Sequence, residues 1–280
     1  MRVVHTRGEV CEAVAAARAA GKTIGLVPTM GALHAGHMSL VEAAVAGSDF
    51  VVVSVFVNPT QFGPGEDLDK YPRTLDEDAA KCEAAGVALI FVPSAGEMYA
   101  DDACTTVHVA GLTEGLCGQF RPGHFDGVTT VVCKLFTIVA PDRAWFGEKD
   151  YQQLVVIRRM ARDLDLPVEV IGCPTVREAD GLALSSRNQY LSAAERAAAP
   201  ALQAALQQGA RAARDGATGA EVERAVAAAL AREPILRPQY IRAVHPETLR
   251  RLLGESGPMV IAAAAHLGET RLIDNIKVEG

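Results

Sequence analysis

The sequence has no surplus of positive charge. Its 27 Lys and Arg stand against 34 Asp and Glu, for a formal net charge of −7. Proteins that grip a nucleic-acid backbone carry a basic excess, so nucleic acid is not an expected partner. The six cysteines, at 11, 82, 104, 117, 133 and 173, form no CxxC pair, and no Cys/His spacing suggests zinc. Buried free thiols in a reducing compartment are expected instead. The opening residues, MRVVHTRGEV, lack the long apolar run of a signal peptide. The alanine-rich stretch Ser192–Ala213 is interrupted by Glu195, Arg196, Gln203, Gln207, Gln208 and Arg211, so it reads as a water-facing helix and not as a membrane span. A cytoplasmic protein without membrane partners is expected. GxGxxG, GxxxxGK[ST] and GxSxG are also missing, which removes the dinucleotide fingerprint, the Walker A loop and the serine-hydrolase elbow.

Apolar residues make up 49% of the chain and charged residues 22%, a balance that argues for a packed core and against disorder. Two textures divide it. Up to about residue 175, short apolar runs at 23–28, 50–57, 88–93, 144–146 and 168–173 alternate with helical patterns at 8–20, 37–48, 74–85, 125–139 and 150–162. Several runs are nearly continuous in Val, Ile and Phe, as in strands covered on both faces of a parallel sheet. The expectation is a Rossmann-like α/β sandwich over residues 1–175. Residues 176–280 predict a smaller C-terminal α+β domain acting as a lid over the site. Its helices are expected at 192–215, 219–233 and 246–254, with a break near Ala199 because Pro200 interrupts the pattern, and its strands at 239–244, 258–264 and 271–276.

Chemistry-bearing residues collect where strands end. GLVPTMGALHAGH, Gly25–His37, runs from a buried strand through glycine turns into a helix. Ligands of open α/β sheets sit at such ends, and a helix start offers N–H groups to phosphate. His34 and His37 either face one ligand together or simply cap the local turn. Gln61, in the loop after the second strand, reads either as an exposed glutamine or as a group for a substrate hydroxyl or carboxylate. Arg121 and His124 could meet an anion or form a salt bridge, and Thr129 or Thr130 could cap or face a pocket. WFGEKDYQQ carries Lys149 at or just before a helix start, with Asp150 as a possible cap and Gln153 one turn on. Ser185, Ser186 and Arg187 suit a triphosphate tail, and also suit a plain turn.

These segments resemble known ones. HAGH is similar to the HxGH signature of the nucleotidyltransferase superfamily, and the longer PTMGALHAGH resembles the form found in the pantothenate synthetase (pantoate–β-alanine ligase) family. VFVNPTQF, RPGHFDGV, FGEKDYQQ, the Ser185–Arg187 segment and HLGETRLIDNI resemble further family segments in family order. The resemblance implies condensation of pantoate with β-alanine, driven by ATP through a pantoyl-adenylate, with release of AMP and pyrophosphate. It implies catalytic roles for His34, His37, Lys149 and Arg187. It implies ATP contacts from Met30, His34, His37, Gly147, Lys149, Asp150, Val176, Leu184, Ser185, Ser186 and Arg187, and pantoate contacts from Gln61 and Gln153, with Tyr71 in support. Arg177 and Asp180 would orient the serine loop. Mg²⁺ bridging the phosphates and a homodimer are implied too, without a named metal ligand. Leu184 departs from the methionine expected in many relatives; an apolar swap of this kind casts little doubt on activity. The rival reading is a nucleotidyltransferase that moves a nucleotide onto a small phosphorylated substrate and stops there.

Overall fold

The computed structural model describes residues 1–279. Contacts divide the chain into two units. The first holds Met1–Gly111, Arg121–Glu148 and Val156–Pro174; the second holds Leu112–Phe120, Lys149–Val155 and everything from Thr175 on. In chain order the elements are β1 (Arg2–Val4), α1 (Arg7–Ala19), β2 (Ile24–Thr29), α2 (Ala35–Gly47), β3 (Phe50–Val55), α3 (Leu75–Ala84), β4 (Leu89–Phe91), α4 (Ala95–Met98), α5 (Cys117–Phe120), α6 (His124–Val139), β5 (Arg143–Gly147), α7 (Tyr151–Asp163) and β6 (Glu169–Cys173). There follow α8 (Ala193–Ala198), α9 (Ala201–Arg214), α10 (Gly219–Leu230), β7 (Leu236–Val244), β8 (Met259–Leu267) and β9 (Thr270–Val278).

The first unit is built on a six-stranded sheet in the order β1-β4-β3-β2-β5-β6, with every pairing parallel. Val51, Val52 and Val53 of β3, like Ile24, Leu26 and Val27 of β2, are buried, as expected of strands covered on both faces. From β2 the chain builds β3 and β4 to one side and β5 and β6 to the other. The reversal therefore falls between β2 and β5, whose carboxyl ends are Thr29 and Gly147. Such a reversal opens a crevice at the strand ends. Helix α6 buries Phe125, Val128, Val132, Leu135, Phe136 and Val139, an apolar stripe at helical spacing.

Two contacts shape the loops at these ends. After β2, Gly31 and Ala32 take left-handed φ values of 82° and 52°. The turn leaves two successive N–H groups without a ladder partner, and the fully buried carboxylate of Asp78 on α3 accepts both: Ala32 N–H to Oδ2 at 2.8 Å and Leu33 N–H to Oδ1 at 2.7 Å. Lys81, one turn on, donates to the Leu33 carbonyl at 2.7 Å. After β3, the short 3-10 turn Pro59–Gln61 lies against α6 at Gly127, where a Cβ would stand 2.3 Å from the Thr60 carbonyl oxygen. Only glycine permits that approach.

The second unit carries the antiparallel sheet β7-β8-β9. Leu202, Ala205, Leu206, Gly209, Ala210 and Ala213 form the buried stripe of α9, and Val222, Val226, Ala229 and Leu230 that of α10. With Met259, Ile261, Ala263, Ala265 and Leu267 of β8 they make one core. The expected break is present: α8 ends at Ala198 and α9 begins after Pro200.

Some expectations need correction. No helix covers 246–254. Leu249 takes φ 54°, Leu252 N–H returns to the Ala243 carbonyl at 2.8 Å, and Arg251 bridges Val244, so the chain doubles back as a loop. Strand β1 has no counterpart among the apolar runs, because it is three residues long, lies at the sheet edge and leaves Val3 exposed. All six cysteines are free, but Cys11 and Cys104 are exposed. Among the described residues no helix is long and apolar enough to cross a membrane.

Trp145, the single tryptophan, is buried in the first unit and reports its unfolding. Asp78→Asn puts an amide donor against backbone N–H groups and is expected to cost about 2–3 kcal/mol. Gly127→Ala is expected to cost about 1–3 kcal/mol through overpacking. Gly8→Ala has open space and should change stability by less than about 1 kcal/mol. Urea unfolding followed by Trp145 fluorescence measures all three; an unshifted midpoint for Asp78→Asn or Gly127→Ala contradicts the contact assigned to it.

Candidate functional site

The start of α2 is capped by histidine. His34 is the N-cap residue, with extended backbone, and its Nδ1 accepts from Gly36 N–H at 3.1 Å. His37, three residues on, accepts from His34 N–H through its own Nδ1 at 3.4 Å. The rings stack with centroids 4.0 Å apart. A neutral imidazole whose Nδ1 accepts carries its proton on Nε2. The network therefore assigns both rings as Nε2–H donors at the positive end of a helix. The stack holds the two rings face to face, 27° from parallel, at the start of α2.

Met30 and Gln61 meet in the same unit, Gln61 Nε2 donating to Met30 Sδ at 2.9 Å. Asn58 sets the other end of the glutamine. It is buried, donates to Gln61 Oε1 at 3.2 Å and to the Gly127 carbonyl at 3.1 Å, and accepts from the Tyr99 hydroxyl at 2.8 Å. Gln61 is therefore no freely exposed loop residue. Arg121 forms the salt bridge, Nη2 to Glu66 Oε2 at 2.6 Å, and donates to His124 Nε2 at 3.0 Å. His124 Nδ1 in turn donates to the Gln61 carbonyl at 2.8 Å. Burial raises the Glu66 carboxyl, but the hydrogen bonds and charge of Arg121 outweigh it and hold the group below its ordinary value. Thr129 bonds back to the Phe125 carbonyl, and Thr130 accepts from Val107 N–H. Tyr71 is buried edge-on against Phe62.

At the end of β5, a Cβ on Gly147 would meet nothing within 4 Å. The chain's own packing does not require glycine there, unlike at Gly31 or Gly127. Lys149 follows in the 3-10 turn Glu148–Asp150, just before α7. Its side chain is 20% exposed and its Nζ lies 3.9 Å from Asp150 Oδ2. Its carbonyl accepts from Asn275 Nδ2 at 2.9 Å. Gln153 is half-buried one turn into α7. Its neighbour Gln152 is buried and serves the structure, bonding Cys117 N–H and the carbonyls of Leu112 and Gly115.

Val176 and Leu184 close a small hairpin, Leu184 N–H to the Val176 carbonyl at 3.0 Å, with Gly181 at its turn. Arg177 and Asp180 brace it: Arg177 forks onto Asp274 at 2.7 and 2.9 Å, and Asp180 pairs with Arg196 at 2.6 Å. Ser185 then caps the 3-10 turn Ser186–Tyr190, its Oγ accepting from Arg187 N–H at 3.3 Å. Ser186 and Arg187 are half-buried in that turn.

Asp78, Asn58 and Asn275 escaped the sequence reading. Asn58 carried a faint signal, an Asn-Pro at a strand end. Asp78 carried none, since nothing adjacent in sequence explains it, and Asn275 was covered only by the HLGETRLIDNI resemblance, without a role of its own. Among the described residues no group of three or more His, Cys, Asp or Glu is placed to hold a metal ion.

The family model described as pantoate–β-alanine ligase matches residues 2–277. A pantothenate synthetase of Pseudomonas paraeruginosa is 55% identical over 280 residues, covering 99% of each chain. The crystal structure of pantothenate synthetase from Thermus thermophilus matches with a TM-score of 0.94 at 51% identity over 100% of both chains. A pantoate–β-alanine ligase from Francisella tularensis, complexed with β-γ ATP and β-alanine, matches with a TM-score of 0.83 at 32% identity over 99% of this chain and 97% of that one. Over nearly its whole length, the chain belongs to the pantoate–β-alanine ligase family.

Proposed function

We propose that this ligase joins pantoate to β-alanine in two steps, with the residues above in the following roles. A carboxylate oxygen of pantoate attacks the α-phosphorus of ATP, the bond to the β-phosphate bridging oxygen breaks, and pyrophosphate leaves. The free amine of β-alanine then attacks the acyl carbon of pantoyl-adenylate, and AMP leaves with the electron pair of the broken acyl–oxygen bond. The mixed anhydride is already activated, so no protein nucleophile is required.

The observation that carries this assignment is the stacked His34–His37 pair, with both Nδ1 atoms accepting. Two preorganised Nε2–H donors at a helix start suit the charge that gathers on phosphoryl oxygens in the first step. Lys149 would neutralise charge on the leaving group, and Ser185, Ser186 and Arg187 would hold the β- and γ-phosphates. The open space at Gly147 suits an adenosine lying against the backbone, with Met30, Asp150, Val176 and Leu184 as further ATP contacts. Gln61, held by Asn58 and Met30, is assigned to pantoate, as is Gln153. Mg²⁺ is proposed to arrive with ATP as part of the substrate, where it would offset phosphate charge. A cytoplasmic homodimer is proposed for the assembled enzyme. The domain after residue 175 is proposed to act as a lid that protects the anhydride from water.

The rival nucleotidyltransferase reading shares HxGH but has no need of an amine. Incubation with Mg-ATP, pantoate and β-alanine is expected to yield AMP, pyrophosphate and pantothenate in equal amounts. Release of ADP, or turnover independent of the amine, sinks the proposal. Lys149→Ala is expected to slow pyrophosphate release by about 10²-fold or more, a loss far larger than any accompanying fall in melting temperature explains, since its ammonium lies 3.9 Å from a half-exposed Asp150. An unchanged rate of adenylate formation removes Lys149 from the mechanism.

A further inference from the structure

The HLGETRLIDNI segment, His266–Ile276, has so far no part in the reaction. It forms the β8–β9 hairpin, and two adjacent polar residues on β9, Asp274 and Asn275, are buried at 4% and 8% exposure. Each reaches a different segment of the proposed ATP site. Asp274 Oδ2 and Oδ1 accept from Arg177 Nη1 at 2.7 Å and Nη2 at 2.9 Å. The same Nη1 donates to the Gly181 carbonyl at 3.0 Å, at the turn of the hairpin that leads into Ser185. Asn275 Nδ2 donates to the Lys149 carbonyl at 2.9 Å. Asp274 Oδ1 also accepts from Asn275 N–H at 2.8 Å, which ties the two side-chain contacts together.

We infer that Asp274 and Asn275 are positioning residues for adenylate formation, holding the Lys149 turn and the Val176–Leu184 hairpin on one strand. Neither touches substrate; each acts through another residue. The inference rests on the ligase reading given above, in which Lys149 and Ser185–Arg187 meet the phosphates.

The physical case has three parts. A buried ion pair adds little net stability once its desolvation is counted, whereas a forked guanidinium–carboxylate pair fixes geometry closely. Lys149 stands in a 3-10 turn of three residues that leads directly into α7, and the Asn275 amide gives its carbonyl a fixed side-chain donor from β9. The strand that carries both residues pairs along its length with β8, Ala263 opposite Asp274 and Ala262 opposite Asn275, and β8 is buried almost throughout. Two segments separated in sequence are therefore referred to one rigid element. Small misplacements of charge-neutralising groups cost rate steeply.

The test separates the two half-reactions. Asn275→Ala removes the donor to Lys149 and leaves the Asp274–Arg177 pair; Asp274→Asn keeps the size and removes the charge. Pyrophosphate release from Mg-ATP and pantoate is measured per folded active site. Pantothenate formation from supplied pantoyl-adenylate and β-alanine is measured in parallel, with the melting temperature of each variant. Asn275→Ala is expected to slow the first half-reaction by about tenfold or more and the second by less than about twofold. Lys149→Ala with Asn275→Ala is expected to be no slower than Lys149→Ala alone, since one residue acts through the other. If Asp274→Asn yields no folded protein, the Asn275→Ala results decide by themselves. Equal losses in both half-reactions, an unchanged rate per site, or full additivity with Lys149→Ala overturns the inference. Absence of pantoate-dependent pyrophosphate release by the unaltered enzyme sinks the ligase reading itself, and the inference with it.

Discussion

Ala32 and Leu33 present two successive backbone N–H groups in a left-handed turn, and one buried carboxylate, that of Asp78, accepts both. A buried charge without partners would be very costly, and two buried N–H groups without acceptors would cost several kcal/mol, on the order of 1–3 each. Each solves the problem of the other. The arrangement fixes where α2 begins, because His34 follows Leu33 directly and must cap the helix from that position. It also shapes its surroundings: burial, with the Asp78 charge adding to it, pushes the neighbouring Cys82 thiol up to about 11 and leaves it inert. Lys81 holds the Leu33 carbonyl from the same helix, so α3 clamps the turn through both its donor and its acceptor groups.

Of the two uses foreseen for the histidines, the structure displays the capping one. Helix N-caps are ordinarily Ser, Thr, Asp or Asn, whose short side chains reach the first free N–H groups. Here imidazoles do this work through Nδ1, which fixes the tautomer and puts the proton on Nε2. A capping role and a phosphate-facing role are thus compatible on the same ring. Ser185 likewise caps its turn with an oxygen lone pair, a contact that does not use its hydroxyl proton. At Gln61 the carboxamide oxygen is held by Asn58 and the backbone carbonyl by His124, so the loop after β3 is ordered from both sides.

Much of the fold was legible because its signals are local. The Val-rich runs at 50–57 and 23–28 could be read as doubly covered strands, since alternation is absent only when both faces are buried. The stripe Leu202, Ala205, Leu206, Gly209 and the break at Pro200 follow from helical period and from a missing N–H. The loop at 246–254 was misread as helix because its composition allows one; what forbids it is the pairing of Arg251 with Val244 and of Leu252 with Ala243. Burial of Cys82 and exposure of Cys104 are likewise not written into thiol chemistry.

The family, the parallel sheet, and the motifs carrying His34, His37, Gln61, Lys149 and Ser185–Arg187 could be had from residue order alone. Period and turn chemistry act over a few residues, and family segments are contiguous strings. Folding chose the partners that hold those motifs still: Asp78 lies 45 residues from Leu33, Asn58 lies 69 from Gly127, and Asn275 lies 126 from Lys149. An Asp or Asn looks the same in sequence whether it faces water or satisfies a distant buried backbone group. Only the packed chain brings donor and acceptor within 3 Å, where desolvation makes their pairing obligatory.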